Sequence, residues 1–204
     1  IHPSDAKALS VINDDMLTVT ASTGEVIAHV KVDDKQRVGE CFMPIHWNKS
    51  FASHANVANL YQSVVDPLSG QAETKQGAVA LAKKEYKQFI SVHARSAAHL
   101  ESNFWVKSAT AYGASYQIAL DESVPDFLLW CQQTSDIKGE WLSFEQDSKI
   151  YVVCIQAGKL AFLSYFSKSW PTVEQSWFDH VFAETALDFA TIQSLLFGLV
   201  SGEF

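Results

Sequence analysis

The feature that most restricts this chain is a polar excursion. From Ile45 to Gln76 it is rich in Asn, Ser, His, Asp, Pro and Gly and offers only scattered apolar positions. Neither the period of a strand nor that of a long helix runs through it. Loops of this length inside compact domains are usually functional or disordered. Trp47, Phe51 and Leu60 supply apolar anchors, so the segment reads as ordered and facing a ligand. The fold must therefore be short elements that hold a long, polar, structured loop.

Short elements are what flank it. Ser4 and Asp5 are placed to cap a helix running through Ala6, Ala8 and Leu9. Asn13-Asp14-Asp15 breaks that helix, and Met16 to Ala21 alternates as a β-branched strand. Ser22-Thr23-Gly24 reads as a turn in which Gly24 supplies a positive φ. Glu25 to Val32 alternates again, with Val26, Ala28, Val30 and Val32 on one side, as a half-buried antiparallel strand. Cys41-Phe42-Met43 reads as a further short strand ended by Pro44, and Val79-Ala80-Leu81 as a closing strand after the excursion.

Composition divides the chain near residue 103. Six aromatic residues precede that point and nineteen follow it, while ten of the 15 Lys and Arg precede it. The domains expected are 1–84, a linker over 85–102 with the spacing of a short helix, and 103–204. The last part reads as a β-meander with helices. Strands are expected over Phe104–Ala111, Tyr116–Leu120, Glu140–Glu145, Lys149–Gln156 and Lys159–Phe166. Helices are expected over Val124–Cys131, with Pro125 in the first turn, and over Thr172–Ala183 and Thr191–Leu199.

Several functions are excluded by what is missing. The net charge is −8 and no Lys/Arg stripe exists, which argues against nucleic-acid binding, since phosphate neutralisation needs clustered cations. No stretch approaches the roughly 18 apolar residues of a membrane helix. There is no GxGxxG, phosphate loop, HExxH or GxSxG. Cys41, Cys131 and Cys154 form no CxxC, and an odd count speaks for a reduced, cytoplasmic setting. All three read as core packing, and His93 and His99 as solvated linker histidines. No metal ligands and no catalytic residues are expected. The opening Ile-His-Pro-Ser-Asp has neither Met nor the regions of a signal peptide, and reads as the interior of a longer polypeptide.

Five motifs occur together: the IHPSDA opening, the Asn-Asp-Asp turn before a strand, G-x-x-F-M-P-x-H-W over Gly39–Trp47, F-A-S-x-A from Phe51, and D-P-x-S-G-Q-x-E-x-K from Asp66 to Lys75. In this combination residues 1 to about 82 resemble the C-terminal molybdopterin-dinucleotide-binding domain of molybdenum oxidoreductases, most closely that of bacterial assimilatory nitrate reductases. Phe104-Trp105, Gly139-Glu140-Trp141-Leu142 and Leu195-Leu196-Phe197-Gly198 resemble the extension that follows it in those enzymes.

The resemblance implies a mainly β chain with some α: a double-psi β-barrel of the aspartate-decarboxylase type, followed by a small α+β domain. The family's opening strands would precede Ile1, so the barrel is either incomplete or closed by the second half or by another copy. It also implies a molybdopterin guanine dinucleotide, bound twice around molybdenum in the whole enzyme. His46 and Trp47 would lie near the cofactor, Asn56 and Asn59 would donate to pterin or phosphate, and Lys75 would meet phosphate as a point charge. Asp66 to Gly70 would be a rigid turn aiming Lys75. Two positions depart from the pattern. Many relatives carry Asn where this chain has Ala58, and Gly where it has Asp14, a residue that still tolerates the left-handed region.

On this reading the whole enzyme reduces nitrate to nitrite, an iron–sulfur cluster lies elsewhere in it, and this piece alone is inert. Its partners are upstream domains and an electron donor, for which Trp170, Trp177 and Phe178 offer a docking surface. The alternatives are a formate dehydrogenase-like enzyme and a cofactor-free interaction module.

Overall fold

A computed structural model describes residues 1–72, 76–96, 104–146, 149–170, 179 and 181–183. The chain is mainly β and divides into two units, Ile1–Glu85 and Tyr86–Phe204.

The first unit opens with α1 (Pro3–Leu9), whose cap differs from the expected one. His2 Nδ1 accepts from the Ser4 amide at 3.0 Å, and Pro3 takes a first-turn position where its missing N–H costs nothing. Asp5 is thereby free to accept from the Gly39 amide at 2.8 Å, which ties the 33–40 turns to the helix. Ser10 ends the helix in the left-handed region at φ 54°.

Strands β1 (Met16–Ala21), β2 (Gly24–His29) and β3 (Ala80–Lys84) form an antiparallel sheet in the order β2-β1-β3. β3 closes it from the far side of the excursion, 50 residues downstream of β2. Asp14 holds φ 70° and its amide donates to Val30 O at 2.9 Å, so the aspartate does occupy the left-handed position. Val26 is 0% exposed and its neighbour Ile27 6%, so both faces of β2 are covered there, beyond the half-buried strand that alternation predicts. No strand forms at Cys41-Phe42-Met43. Phe42 projects 77% exposed while Met43 packs against the cluster of Val19, Val26, Val57 and Leu60, so this short apolar run is held by one side chain and has no pairing edge.

The second unit is a six-stranded antiparallel sheet in the order β5-β6-β4-β9-β8-β7. Its strands are β4 (Gln88–Ala94), β5 (Phe104–Thr110), β6 (Gly113–Leu120), β7 (Glu140–Gln146), β8 (Lys149–Gln156) and β9 (Lys159–Ser167). The stretch expected to be a helical linker thus contributes β4, an interior strand paired with β6 and β9. The helical spacing of Tyr86, Phe89 and Ile90 misled, because Ile90, Val92 and Ala94 alternate with period two and all lie in the core.

Helix α2 (Phe127–Thr134) packs Phe127 and Cys131 against Ile90, Val92, Tyr116, Ile118 and Phe162. Its N-cap is Asp126, which accepts from the Leu129 amide at 2.9 Å, so Pro125 lies before the helix and not in its first turn. The opposite face gathers Tyr151, Val153, Leu163 and Tyr165 under Val181 and Phe182. Residues 179 and 181–183 are helical, in keeping with the end of the helix expected over Thr172–Ala183. The rest of that helix and the one expected over Thr191–Leu199 lie outside the described residues.

Trp170 packs its ring on Phe89, with centroids 4.7 Å apart, and on Phe104 at 6.4 Å. It is a packing residue, whereas Trp177 and Phe178 are outside the described residues. Among the described residues no helix is long and apolar enough to cross a membrane.

Candidate functional site

The excursion expected between Pro44 and Val79 is present, and one part of it is seated on the outer edge of β2. The Ile27 amide, which faces away from β1, donates to His54 O at 2.9 Å. Three residues on, the chain turns through a 3-10 turn at Val57–Leu60, and Val57 and Leu60 pack with Val19 and Val26 in one buried cluster. At the hairpin end, Gln62 Nε2 reaches Ser22 Oγ at 3.3 Å. The hairpin and the turn therefore meet along a line: His54 on Ile27, Val57 on Val26, Gln62 on Ser22.

Gly24 allows that line to close. Its φ is not in the positive region, so the reason for glycine expected from the turn does not apply. A Cβ at position 24 would instead stand 2.8 Å from the Asn59 carbonyl oxygen and 3.1 Å from Asn59 Cβ. Only a residue without a side chain admits the backbone of the turn so closely.

The seat brings together two of the expected site residues. Asn56 Nδ2 donates to Asn59 Oδ1 at 3.1 Å, and the Asn59 amide donates to Asn56 O at 3.0 Å. Asn59 is exposed, with its side-chain carbonyl engaged by Asn56. His46 is exposed in a turn after Pro44, and Trp47 is 41% exposed beside it. Asn48 braces this part, its carbonyl accepting from the Phe51 and Ala52 amides at 3.0 and 3.1 Å. Lys75 lies outside the described residues.

Asp66 organises a small hairpin that Val65 and Ala72 close as a bridge. Its carboxylate accepts from the amides of Leu68 at 3.0 Å and Ser69 at 2.6 Å and from Ser69 Oγ at 2.9 Å. These bonds, from Ser69 first, hold the Asp66 carboxyl below the usual carboxylate range. The turn is closed by these bonds and carries Leu68 96% exposed at its tip.

Uncovered apolar surface is concentrated here. Of the twelve large apolar side chains exposed among the described residues, eight lie between Val38 and Leu68, Phe42, Ile45, Trp47 and Phe51 among them. Scattered single residues of this kind are ordinary. Eight within one stretch of sequence, the same stretch that holds Asn56 and Asn59, are more than such scatter supplies. Residues 1–78 match the family described as molydopterin dinucleotide binding domain. Most of the first unit is thus similar to that family.

The match ends before β3, so the second unit lies beyond it. A protein named nitrate reductase from Klebsiella oxytoca is 29% identical over 205 residues, covering 99% of this chain. The chain spans 23% of that relative's length. No solved structure matches the chain.

Sequence reasoning missed Gly24 as the seat of the turn, and His54 and Gln62 as its other fastenings. A glycine beginning a strand was the available signal, since close backbone approach is one of its few uses there. It also misplaced His93, which is 6% exposed within β4 and meets Ser91 Oγ at 3.2 Å through Nε2. Burial drives its pKa down to about 3, so it is a neutral interior group and not a solvated one. His99 is outside the described residues. Cys131 and Cys154 are buried, with thiols pushed up to about 12 and about 11, which makes them inert as read. Among the described residues no cluster of three or more His, Cys, Asp or Glu is placed to hold a metal.

Proposed function

We propose that this chain is the cofactor-binding part of a molybdenum-dependent nitrate reductase, and that its excursion holds one end of a molybdopterin guanine dinucleotide. The observation that carries the reading is the Asn56–Asn59 pair, fixed to the edge of β2 within the stretch that holds most of the uncovered apolar side chains. A guanine dinucleotide offers a pyrophosphate, amide-like edges and flat rings. Asn supplies a donor and an acceptor in one group, and Trp47 an aromatic face. His46 adds a ring nitrogen, and Lys75 is assigned the phosphate charge.

When bound, the cofactor supplies oxygen-atom transfer at molybdenum, which in the whole enzyme converts nitrate to nitrite. This chain's share is to bind and orient. The fixed turn presents the amides without an ordering cost at the moment of binding, and the apolar side chains keep water from the ring faces. On this account the β2-β1-β3 sheet is part of a double-psi barrel whose remaining strands come from other segments. In this reading the iron–sulfur cluster, the upstream domains and the contact with an electron donor belong to the rest of a cytoplasmic enzyme.

The test is calorimetric titration of the chain with extracted molybdopterin guanine dinucleotide and with guanosine diphosphate, repeated with Lys75→Ala. Saturable binding by both ligands, weakened by the substitution, is expected. A folded chain that binds neither would leave the interaction module as the better account, and the exposed apolar segment would then be its contact surface.

A further inference from the structure

Close approach of two backbones is rarely accidental, because it fixes a residue type at one position for the sake of another. Here the tip of the β1–β2 hairpin and the 3-10 turn meet at Gly24 and Asn59. The neighbouring fastenings differ in kind. Ile27 to His54 is a backbone hydrogen bond that any residue could make, and Val57 against Val26 is replaceable packing. The Gly24–Asn59 contact alone is intolerant, since the atom a Cβ would strike at 2.8 Å is a carbonyl oxygen and not the end of a movable side chain. Relief requires the turn itself to shift. The turn carries the Asn56–Asn59 bond, so a shift at Asn59 displaces both side-chain amides together.

We propose that Gly24 is a positioning residue for dinucleotide binding: by letting the Asn59 backbone lie against the hairpin, it sets where the Asn56 and Asn59 amides meet the ligand. The inference rests on the reading that the excursion holds a guanine dinucleotide. Gly24 touches no ligand in this scheme, and it acts through Asn59. The effect is geometric. Hydrogen bonds to a fixed ligand weaken steeply when donors move by a few tenths of an ångström to an ångström.

The test compares the chain with Gly24→Ala, Val57→Ala, Asn59→Ala and Val11→Ala, using guanosine diphosphate as the probe. Val11 lies in the separate cluster with Ala6, Leu17 and Val30, and so reports the effect of destabilising the same unit elsewhere. Expected are a loss of affinity of about tenfold in Asn59→Ala and Gly24→Ala, the weight of one hydrogen bond lost to misplacement. Unchanged binding is expected in Val11→Ala, compared well below each variant's melting temperature. The side-chain amide resonances of Asn56 and Asn59 should move in ligand-free Gly24→Ala and stay in place in Val11→Ala. Val57→Ala, which loosens the same seat from within the turn, should weaken binding in the same direction and serves if Gly24→Ala fails to fold. Wild-type affinity in Gly24→Ala or, failing that variant, in Val57→Ala, with weakened binding in Asn59→Ala, overturns the proposal and leaves the dinucleotide reading standing. Absence of saturable binding by the unsubstituted chain overturns both.

Discussion

Asn56 donates its side-chain amide to the side-chain carbonyl of Asn59 across 3.1 Å. The bond uses the acceptor of Asn59 and leaves its two amide protons for a ligand, while the Asn56 carbonyl stays free to accept. Each residue therefore fixes the other's orientation. Replacing either by Ala should lower affinity for guanosine diphosphate by about tenfold, since one net hydrogen bond at the upper end of its usual range is worth about 1.4 kcal/mol. The double substitution should cost less than the two singles combined, because the first already frees the second. Calorimetry on the four proteins measures this, and strict additivity would mean that the two amides act separately.

The Asp66 hairpin should loosen in acid. Its carboxyl is held below the ordinary range by the Ser69 and Leu68 donors, so the folded turn favours the ionised form. The contribution is present above the unfolded carboxylate pKa of about 3.9 and is lost as pH falls below it through the folded value. The Ser69 amide resonance should hold steady to below pH 4 and then move, and in Asp66→Ala it should sit at its low-pH position throughout. A transition centred at the free-aspartate value would contradict the hydrogen-bonding seen.

His93 makes the second unit sensitive at milder pH. With a pKa of about 3 folded and about 6.5 unfolded, the neutral form is favoured by folding. Stability is then full above pH 6.5 and falls as pH drops from there towards 3, by up to about 1.4 kcal/mol per pH unit. His93→Gln removes the titration while keeping a side chain able to reach Ser91. Urea midpoints of the unsubstituted chain should fall between pH 7 and pH 4.5 more steeply than those of the variant, and parallel curves would show that the imidazole stays neutral for another reason.

Arg95 fastens the residues around Phe182 to the sheet. Its Nε donates to Leu160 O at 2.7 Å and its Nη2 to Phe182 O, with the guanidinium 5.5 Å from the Phe182 ring centre and 5.7 Å from that of Tyr112. Lysine keeps the charge but has no planar fork to serve two carbonyls and two rings at once. Arg95→Lys should destabilise this unit by about 2 kcal/mol, the range for a charged hydrogen bond lost in a partly buried place. It should also expose the chain near Phe182 to chymotrypsin, and unchanged cleavage would assign the anchoring to other contacts.

Much of this was legible in the residues where side-chain period and local chemistry agree. Met16 to Ala21 and Lys149 to Gln156 alternate cleanly and are β1 and β8; Asn13-Asp14-Asp15 marks a break that the structure keeps. Legibility failed where distant parts compete for the same atoms. Tyr86, Phe89 and Ile90 fit a helix locally, yet β6 and β9 offer hydrogen bonds on both sides of Gln88–Ala94. Cys41 to Met43 looks like a strand, but no edge reaches it. Ser4 and Asp5 are good caps, but His2 takes the role and Asp5 is drawn to Gly39. The site divides in the same manner. The polar excursion could be read from composition, as could its asparagines. The contact of Asn59 with Gly24 joins residues 35 apart, and nothing in either neighbourhood announces it.

The bare apolar side chains between Val38 and Leu68 also decide how the chain behaves in a tube. Handled by itself, it presents a sticky flank to its own copies, and only the repulsion of eight surplus negative charges opposes clumping. That repulsion vanishes near the isoelectric point of about 5.3 and is screened by added salt. Preparations should stay monodisperse at mildly alkaline pH and low ionic strength and turn cloudy as either condition is relaxed, with Phe42→Ser and Leu68→Ser extending the clear range.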